Sequence, residues 1–408
     1  NRCCFALAMA DSEIEHVRAA LSSHFGIEAS EVKLLVDAGS NPNHVVTAAS
    51  TGQQFLVKAL RSRLGAWVAE NARQITAIAA HVASNGLPTP GPIPTLAGGA
   101  QIISVGDDVE VKITGEQGRV TMSNGHAHKV CSKWYLTEEL KMRGGFVAVV
   151  EGPADGEMTH FVVLPWAVGY VRADNLLSQS PAFASAVLQQ IGSILAKLHS
   201  LPLPDGLVLP RPEAPGGHNL CDIGTFMECA SDPASLFPGQ ESEDAKWFRS
   251  WLPKMVELWK DVPEPTVLCH GDAYLDNVLA KQGGDAPEDL SLLLIDWEDS
   301  CMTNPVADLA ACAVGTCFTL SLGGEGSEDV AVEMIKDRLI ALVAGYQQQR
   351  LIPSAERALL RPMMQACAWA CGCFRYGNFV AGDTGLKSRK YRQLIEVTNI
   401  LSDMGSEF

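Results

Sequence analysis

No two cysteines in this chain have the Cys-x-x-Cys spacing of a structural zinc site, although twelve are scattered over its 408 residues. Twelve cysteines in so long a chain do not make a small disulfide scaffold. Several of them (Cys312, Cys317, Cys367, Cys371) fall on apolar helical patterns and read as reduced core thiols of an intracellular protein. His126, His128 and Cys131 have no second paired set, so they read as part of a polar loop insertion and not as a metal site. Positive charge is also scarce: 31 basic residues face 47 acidic ones, a formal net charge of −16 with an isoelectric point near 5.0. That balance argues against nucleic acid or an anionic membrane surface as partner. No apolar run is long enough for a membrane span; the charge-free stretch Leu309 to Gly324 is short and broken by Thr316, Thr319, Ser321 and three glycines. An initiating methionine is missing, and Met9-Ala10-Asp11 reads more like a native start. Residues 1–10 are therefore taken as a leader or expression remnant and 405–408 as a cloning scar. The expected location is cytoplasmic, with organelle import if residues 1–8 are the remnant of a targeting leader.

What is present is a globular composition, 47% hydrophobic and 19% charged, in a chain with room for two or three folding units. Asp11 to Phe25 has helical spacing through Ile14, Val17, Leu21 and Phe25. Glu31 to Val36, Val45 to Ala48 and Gln53 to Leu60 are strand-like and separated by glycine-bearing turns, the start of an antiparallel sheet. Lys58 stands inside the apolar third run, so it either points outward or has an anionic mate. Gly65 to Val82 is helical in period and carries Glu70; Pro88 to Pro94 mark an extended connector. Strand-like pieces follow at Ala100 to Val105, Asp108 to Ile113, Phe146 to Val150 and Phe161 to Trp166. Ser185 to Leu201 is an amphipathic helix, Pro202 to Gly217 a linker, and Glu243 to Lys260 another helix. After Asp308 the chain is helical, over Asp308 to Leu320, Glu328 to Tyr346, Ser354 to Phe374 and Lys387 to Asp403. The fold class is α+β.

The stretch Thr266 to Asp308 carries the chemistry. A short apolar run leads into His270-Gly271-Asp272; Asn277 to Ala280 and Leu290 to Ile295 then flank a Gly/Asp/Pro-rich turn, which is a hairpin. A regular hairpin centred on Asp285 to Pro287 is expected to set Ala280 opposite Leu293 and Asn277 beside Asp296. An amide oxygen and a carboxylate suffice as protein ligands for a magnesium ion, which keeps several waters. Asp272, on the loop before them, would take the proton of an attacking hydroxyl. This is the equipment of phosphoryl transfer, where the protein positions reactants and neutralises charge. The Asp272 to Asn277 interval equals that of the protein-kinase loop His-Arg-Asp-x-x-x-x-Asn, with Gly271 in the arginine's place.

His270-Gly271-Asp272 with Asn277, then Ile295-Asp296-Trp297-Glu298 and Pro305-Val306-Ala307-Asp308-Leu309-Ala310, resemble the aminoglycoside phosphotransferase and choline kinase superfamily. Leu195-Ala196-Lys197-Leu198-His199 resembles that family's Leu-x-x-Leu-His. The resemblance implies a protein-kinase-like two-lobe fold: an N-terminal ATP-binding lobe over 11–165, an antiparallel sheet with one main helix, and a larger helical lobe over 166–404. It implies ATP and Mg2+ as cofactors, with Asp272 as base and Asn277 and Asp296 holding the metal. Lys58 would hold the nucleotide phosphates and Glu70 would pair with Lys58. Gly39, Ser40 and Asn43 would form the phosphate-covering loop, and Leu164 and Trp166 the hinge at the adenine. Asp308 would stabilise the catalytic loop. Glu298, Trp369, Arg375 and Tyr376 are candidates for the acceptor pocket, whose occupant is a small hydroxyl compound, cationic or amino-bearing. Ala344-Gly345-Tyr346 followed by Ile352-Pro353-Ser354-Ala355-Glu356-Arg357 looks like the homoserine-kinase branch, which places homoserine first; choline, ethanolamine or an aminoglycoside is the alternative. Only eleven residues separate Asp296 from Asp308, too few to seat a peptide as a protein kinase does. A non-catalytic ATP-binding module is the remaining alternative of another class.

Overall fold

The computed structural model describes residues 14–35, 43–62, 76–93, 103–105, 112–114, 119–121, 127–129, 158–177, 179–203, 226, 229–260, 266–284, 286–319, 331–382 and 385–404. Gly39, Ser40, Glu70 and the expected strand Phe146 to Val150 lie outside them. The chain divides into two compact units, residues 1–168 and 169–408. Among the described residues no helix is long and apolar enough to cross a membrane.

The first unit opens with α1 (residues 14–20), which continues as a π turn over Leu21–Phe25 and ends at left-handed Gly26. Strands β1 (Ala29–Leu35), β2 (Asn43–Ala48) and β3 (Gln54–Ser62) follow, then α2 (residues 76–84) and the short strands β4 (Ile103–Val105), β5 (Lys112–Thr114), β6 (Arg119–Thr121) and β7 (Ala127–Lys129), and lastly β8 (Met158–Pro165). The main sheet runs β1-β2-β3-β8-β4, and every pairing is antiparallel. Alternation does the sorting: Phe55 and Val57 point to one face, where Val17, Leu21 and Phe25 pack on them with Val46 and Val163. Lys58, on the opposite face, is in register with Asn43 on one side and Val162 on the other. The segment around His128, expected as a loop, is instead a small meander in which Val120 faces both Ile113 and His128. Strands of three residues are too short for their alternation to register in a sequence pattern.

The second unit contains β9 (Val171–Arg172), α3 (Asp174–Leu177), α4 (Pro181–Leu198), α5 (Glu243–Lys260), β10 (Val267–Cys269), β11 (Val278–Gln282), β12 (Leu290–Leu294), β13 (Cys301–Thr303), α6 (Pro305–Thr316), α7 (Lys336–Gln347), α8 (Ser354–Val380), α9 (Leu386–Arg389) and α10 (Tyr391–Asp403). α4 begins four residues before the expected start, because the Ser180 hydroxyl accepts the Phe183 N–H and Pro181 occupies the first helical position. α7 begins at Lys336 and not at Glu328: Phe318 bridges Met334, and the Ile335 N–H donates to the Cys317 carbonyl, so the approach is extended. Helices α4 and α7 approach backbone to backbone. A Cβ on Gly192 would strike the Leu342 carbonyl, and one on Gly345 the Gln189 carbonyl. That crossing brings His199, just past the end of α4, to Tyr346 of α7.

The hairpin β11–β12 is in place, but its register differs from the expectation by one residue: Ala280 faces Leu292 and Val278 faces Leu294. The loop over 283–289 is centred on Ala286 and held by the Gly283 N–H on the Asp289 carbonyl, and that centre sets the pairing. Asn277 consequently lies opposite Ile295, whose N–H donates to the Asn277 carbonyl at 2.9 Å, and Asp296 comes next.

Candidate active site

Strands β10 and β13 pair so that Cys269 faces Cys301, and the chain leaves β10 straight into His270. Gly271 has φ +81, and a Cβ there would collide with the Asp299 carbonyl, so both the conformation and the space require glycine. Asp308, in the first turn of α6 and fully buried, accepts from the His270 N–H through Oδ2 and from the Gly271 N–H through Oδ1, each at 2.9 Å. Burial alone would push the Asp308 carboxyl up; the hydrogen bonds it accepts from His199 and from the His270 N–H outweigh it and hold the carboxyl below its ordinary value. His270 is buried, which lowers its pKa and keeps it neutral. Its Nε2–H donates to the Ile295 carbonyl at 3.0 Å, its Nδ1 accepts the Asp272 N–H at 3.2 Å, and its ring lies 4.7 Å from that of Trp297. The loop is thus tied at each of three successive residues.

Asn277 ends a 3-10 turn, Leu275–Asn277, at the entrance to β11. Its amide nitrogen donates to the Asp272 carbonyl at 2.8 Å and to Asp272 Oδ2 at 2.7 Å. Both amide hydrogens being engaged, Oδ1 is the atom left to meet a ligand. Asp296 has φ +68, a left-handed conformation that disfavours most side chains by roughly 1–2 kcal/mol. Withdrawal from solvent raises the Asp272 carboxyl well above its ordinary value, and the carboxylates of Asp299, Asp276 and Asp296 and the Cys371 thiol add to the rise.

Of the other expected residues, Asn43 and Lys58 are cross-strand neighbours in the first unit. Leu164 pairs with Leu56, and the Trp166 N–H donates to the Gln54 carbonyl at 3.1 Å. Glu298 is the middle residue of a 3-10 turn directly after Asp296. Trp369 is fully buried, donating to the Phe248 carbonyl at 3.3 Å with its ring edge-on to Phe226. The Tyr376 hydroxyl meets Ser242 Oγ at 2.7 Å, and its ring packs edge-on against Phe237. Both belong to an aromatic cluster between α5 and α8, with half-buried Arg375 between them in sequence. Asp276 and Asp299 also act on Asp272, and their only signal in the sequence is the density of carboxylates between Asp272 and Asp299. The tie from His199 to Asp308, 2.9 Å between Nε2 and Oδ2, has no local pattern to mark it.

The profile of the APH phosphotransferase enzyme family matches residues 135–351, more than half of the chain. No curated protein matches. Among solved structures, the fold is similar to that of amicoumacin kinase hAmiN in complex with AMP-PNP, Ca2+ and Ami (TM-score 0.59, 12% identity, 97% of this chain and 96% of that one). It is similar also to a choline/ethanolamine kinase family protein from Mesorhizobium loti (TM-score 0.52, 15% identity, 96% and 95%). Spectinomycin phosphotransferase APH(9)-Ia in complex with ADP and spectinomycin is a third (TM-score 0.52, 13% identity, 95% and 97%). At such identities the likeness establishes the kinase-like α+β fold alone. Taken with the family match, it makes the chain a member of the APH phosphotransferase family, and so a small-molecule kinase.

Proposed function

We propose that the protein transfers the γ-phosphoryl group of ATP to a hydroxyl of a small amino-bearing molecule, with Asp272 as general base. The observation that carries this reading is the Asn277 amide, which donates to both the backbone carbonyl and the carboxylate of Asp272 and so leaves its oxygen as the atom available to a metal ion. Asp272 accepts the acceptor's hydroxyl proton; the freed oxygen forms a bond to the γ-phosphorus as the bond to the β–γ bridging oxygen breaks and ADP leaves. Asn277 Oδ1 and the Asp296 carboxylate are hard oxygen donors that fit magnesium, and the carboxylates crowded around Asp272 are a site that a dication would relieve. Bound magnesium supplies charge neutralisation on the phosphates. Lys58 is assigned to the nucleotide phosphates, with Asn43 beside it. AMP-PNP and ADP in the similar structures support ATP as donor.

The same carboxylates favour a cationic acceptor. Homoserine comes first, on the resemblance of the segment from Ala344 to Arg357, and choline, ethanolamine or an aminoglycoside is the alternative. An ATP-consumption screen over these alcohols tests the reading. Asp272→Asn should lower turnover by on the order of 10²–10⁴-fold while sparing nucleotide binding, and Asp296→Ala should weaken magnesium-nucleotide binding in calorimetry. A non-catalytic module would bind the nucleotide and phosphorylate nothing in the screen.

A further inference from the structure

His199 is held on both sides. Its Nε2 lies 2.9 Å from Asp308 Oδ2, and its Nδ1 lies 2.7 Å from the Tyr346 hydroxyl. The phenol in turn accepts from Arg350 Nη1 at 3.3 Å. Arg350 makes a two-pronged pair with Glu356, at 2.9 and 3.2 Å, in the first turn of α8. His199, Asp308 and Tyr346 are buried, and Glu356 is 7% exposed. Burial pushes the Tyr346 phenol up, so it keeps its proton. Asp308 offers only acceptors and Arg350 only donors, so Arg350 donates to Tyr346 and His199 Nε2–H to Asp308, and the Tyr346 hydroxyl is left to meet His199 Nδ1. With Tyr346 in place, the imidazole is held at both nitrogens, with Nε2–H facing the carboxylate that pins the His270 and Gly271 N–H groups. Without the phenol, Nδ1 loses its partner and the ring is held at Nε2 alone, able to turn about that one bond.

We infer that Tyr346, backed by Arg350 and Glu356, is a positioning residue for catalysis: it fixes the orientation of the His199 ring and through Asp308 the placement of Asp272. This rests on the proposed role of Asp272 in phosphoryl transfer. The device starts more than seventy residues downstream of the loop it controls and touches neither nucleotide nor acceptor in that reading.

The test is Tyr346→Phe, which removes the hydroxyl and keeps the ring. Turnover should fall about tenfold, as for one buried polar atom left without its partner, with KM for ATP and acceptor unchanged. Amide hydrogen exchange at His270 and Gly271 should accelerate by a similar factor, and the 15N resonance of His199 Nδ1 should shift as it loses its partner. Arg350→Lys, which keeps the charge but loses the fork, should show the same pattern more weakly and serves if the first variant fails to fold. Wild-type turnover together with unchanged exchange at 270–271 would overturn the inference, as would a lower melting temperature with kcat untouched. If wild-type protein phosphorylates none of the alcohols, the assignment of Asp272 falls, while the exchange and 15N measurements still decide whether Tyr346 governs the loop.

Discussion

At the scale of single residues, the sign of the shift at Asp272 determines how the protein answers to pH. Its carboxyl is raised well above its ordinary value in the folded state. Between the two values the folded chain holds a proton that the unfolded chain has lost, so this group makes stability fall as pH rises through the window. The penalty is complete above the folded value and absent in acid. Asp272→Asn should therefore raise the melting temperature of metal-free protein at neutral pH, by on the order of 2–4 °C for each kcal/mol relieved, and the gain should vanish toward pH 4 in a thermal-shift series. Gly271→Ala goes the other way. Its positive φ alone costs about 1–3 kcal/mol, the Cβ meets the Asp299 carbonyl, and both denaturation midpoint and turnover should drop. Asp272, Asn277 and Asp296 were legible in the sequence because they lie in one short stretch with a fixed interval. His199 and Tyr346 were not: the bonds joining them to each other and to Asp308 span 147 and 109 positions, and an amphipathic helix ending in histidine has an ordinary packing explanation.

Elements were read well where their ends carry chemistry and poorly where tertiary pairing decides. Pro353 and Ser354 mark the start of α8 in both sequence and structure, and α5 runs over the expected Glu243–Lys260. The late start of α7 depends on the Phe318–Met334 bridge, which helical periodicity does not register. The one-residue register error in β11–β12 came from locating the turn's centre, and it moves the partner of Asn277 from Asp296 to Ile295. The α4–α7 crossing is the element on which the buried polar chain depends. Gly345→Ala places a methyl group against the Gln189 carbonyl, and overpacking of that kind costs about 1–3 kcal/mol. A lowered urea midpoint at unchanged slope is expected, together with a loss of turnover as His199 and Tyr346 separate.

For the molecule as a whole, the family match and the shared fold agree with the α+β reading that the chain's order of strands and helices supports. The cysteines bear out the reading of Cys312, Cys317, Cys367 and Cys371 as core thiols: all four are free and buried, with Cys269, Cys301 and Cys373, while Cys229 is half-buried. Burial pushes the Cys317 thiol up to about 12, and a thiol that does not ionise does not alkylate. Iodoacetamide on native protein, followed by peptide mass spectrometry, should mark Cys229 before any of those seven. The open end of the β11–β12 hairpin carries Asn277 and leads into Asp296, while its closed end is exposed at Lys281, Gln282, Gly283 and Gly284. Doubling that loop's length would add only about 0.6 kcal/mol of closure entropy. The tip is therefore where this chain can accept an epitope or a fluorophore, reporting on the enzyme from the far end of the ribbon that carries Asn277 and leads into Asp296.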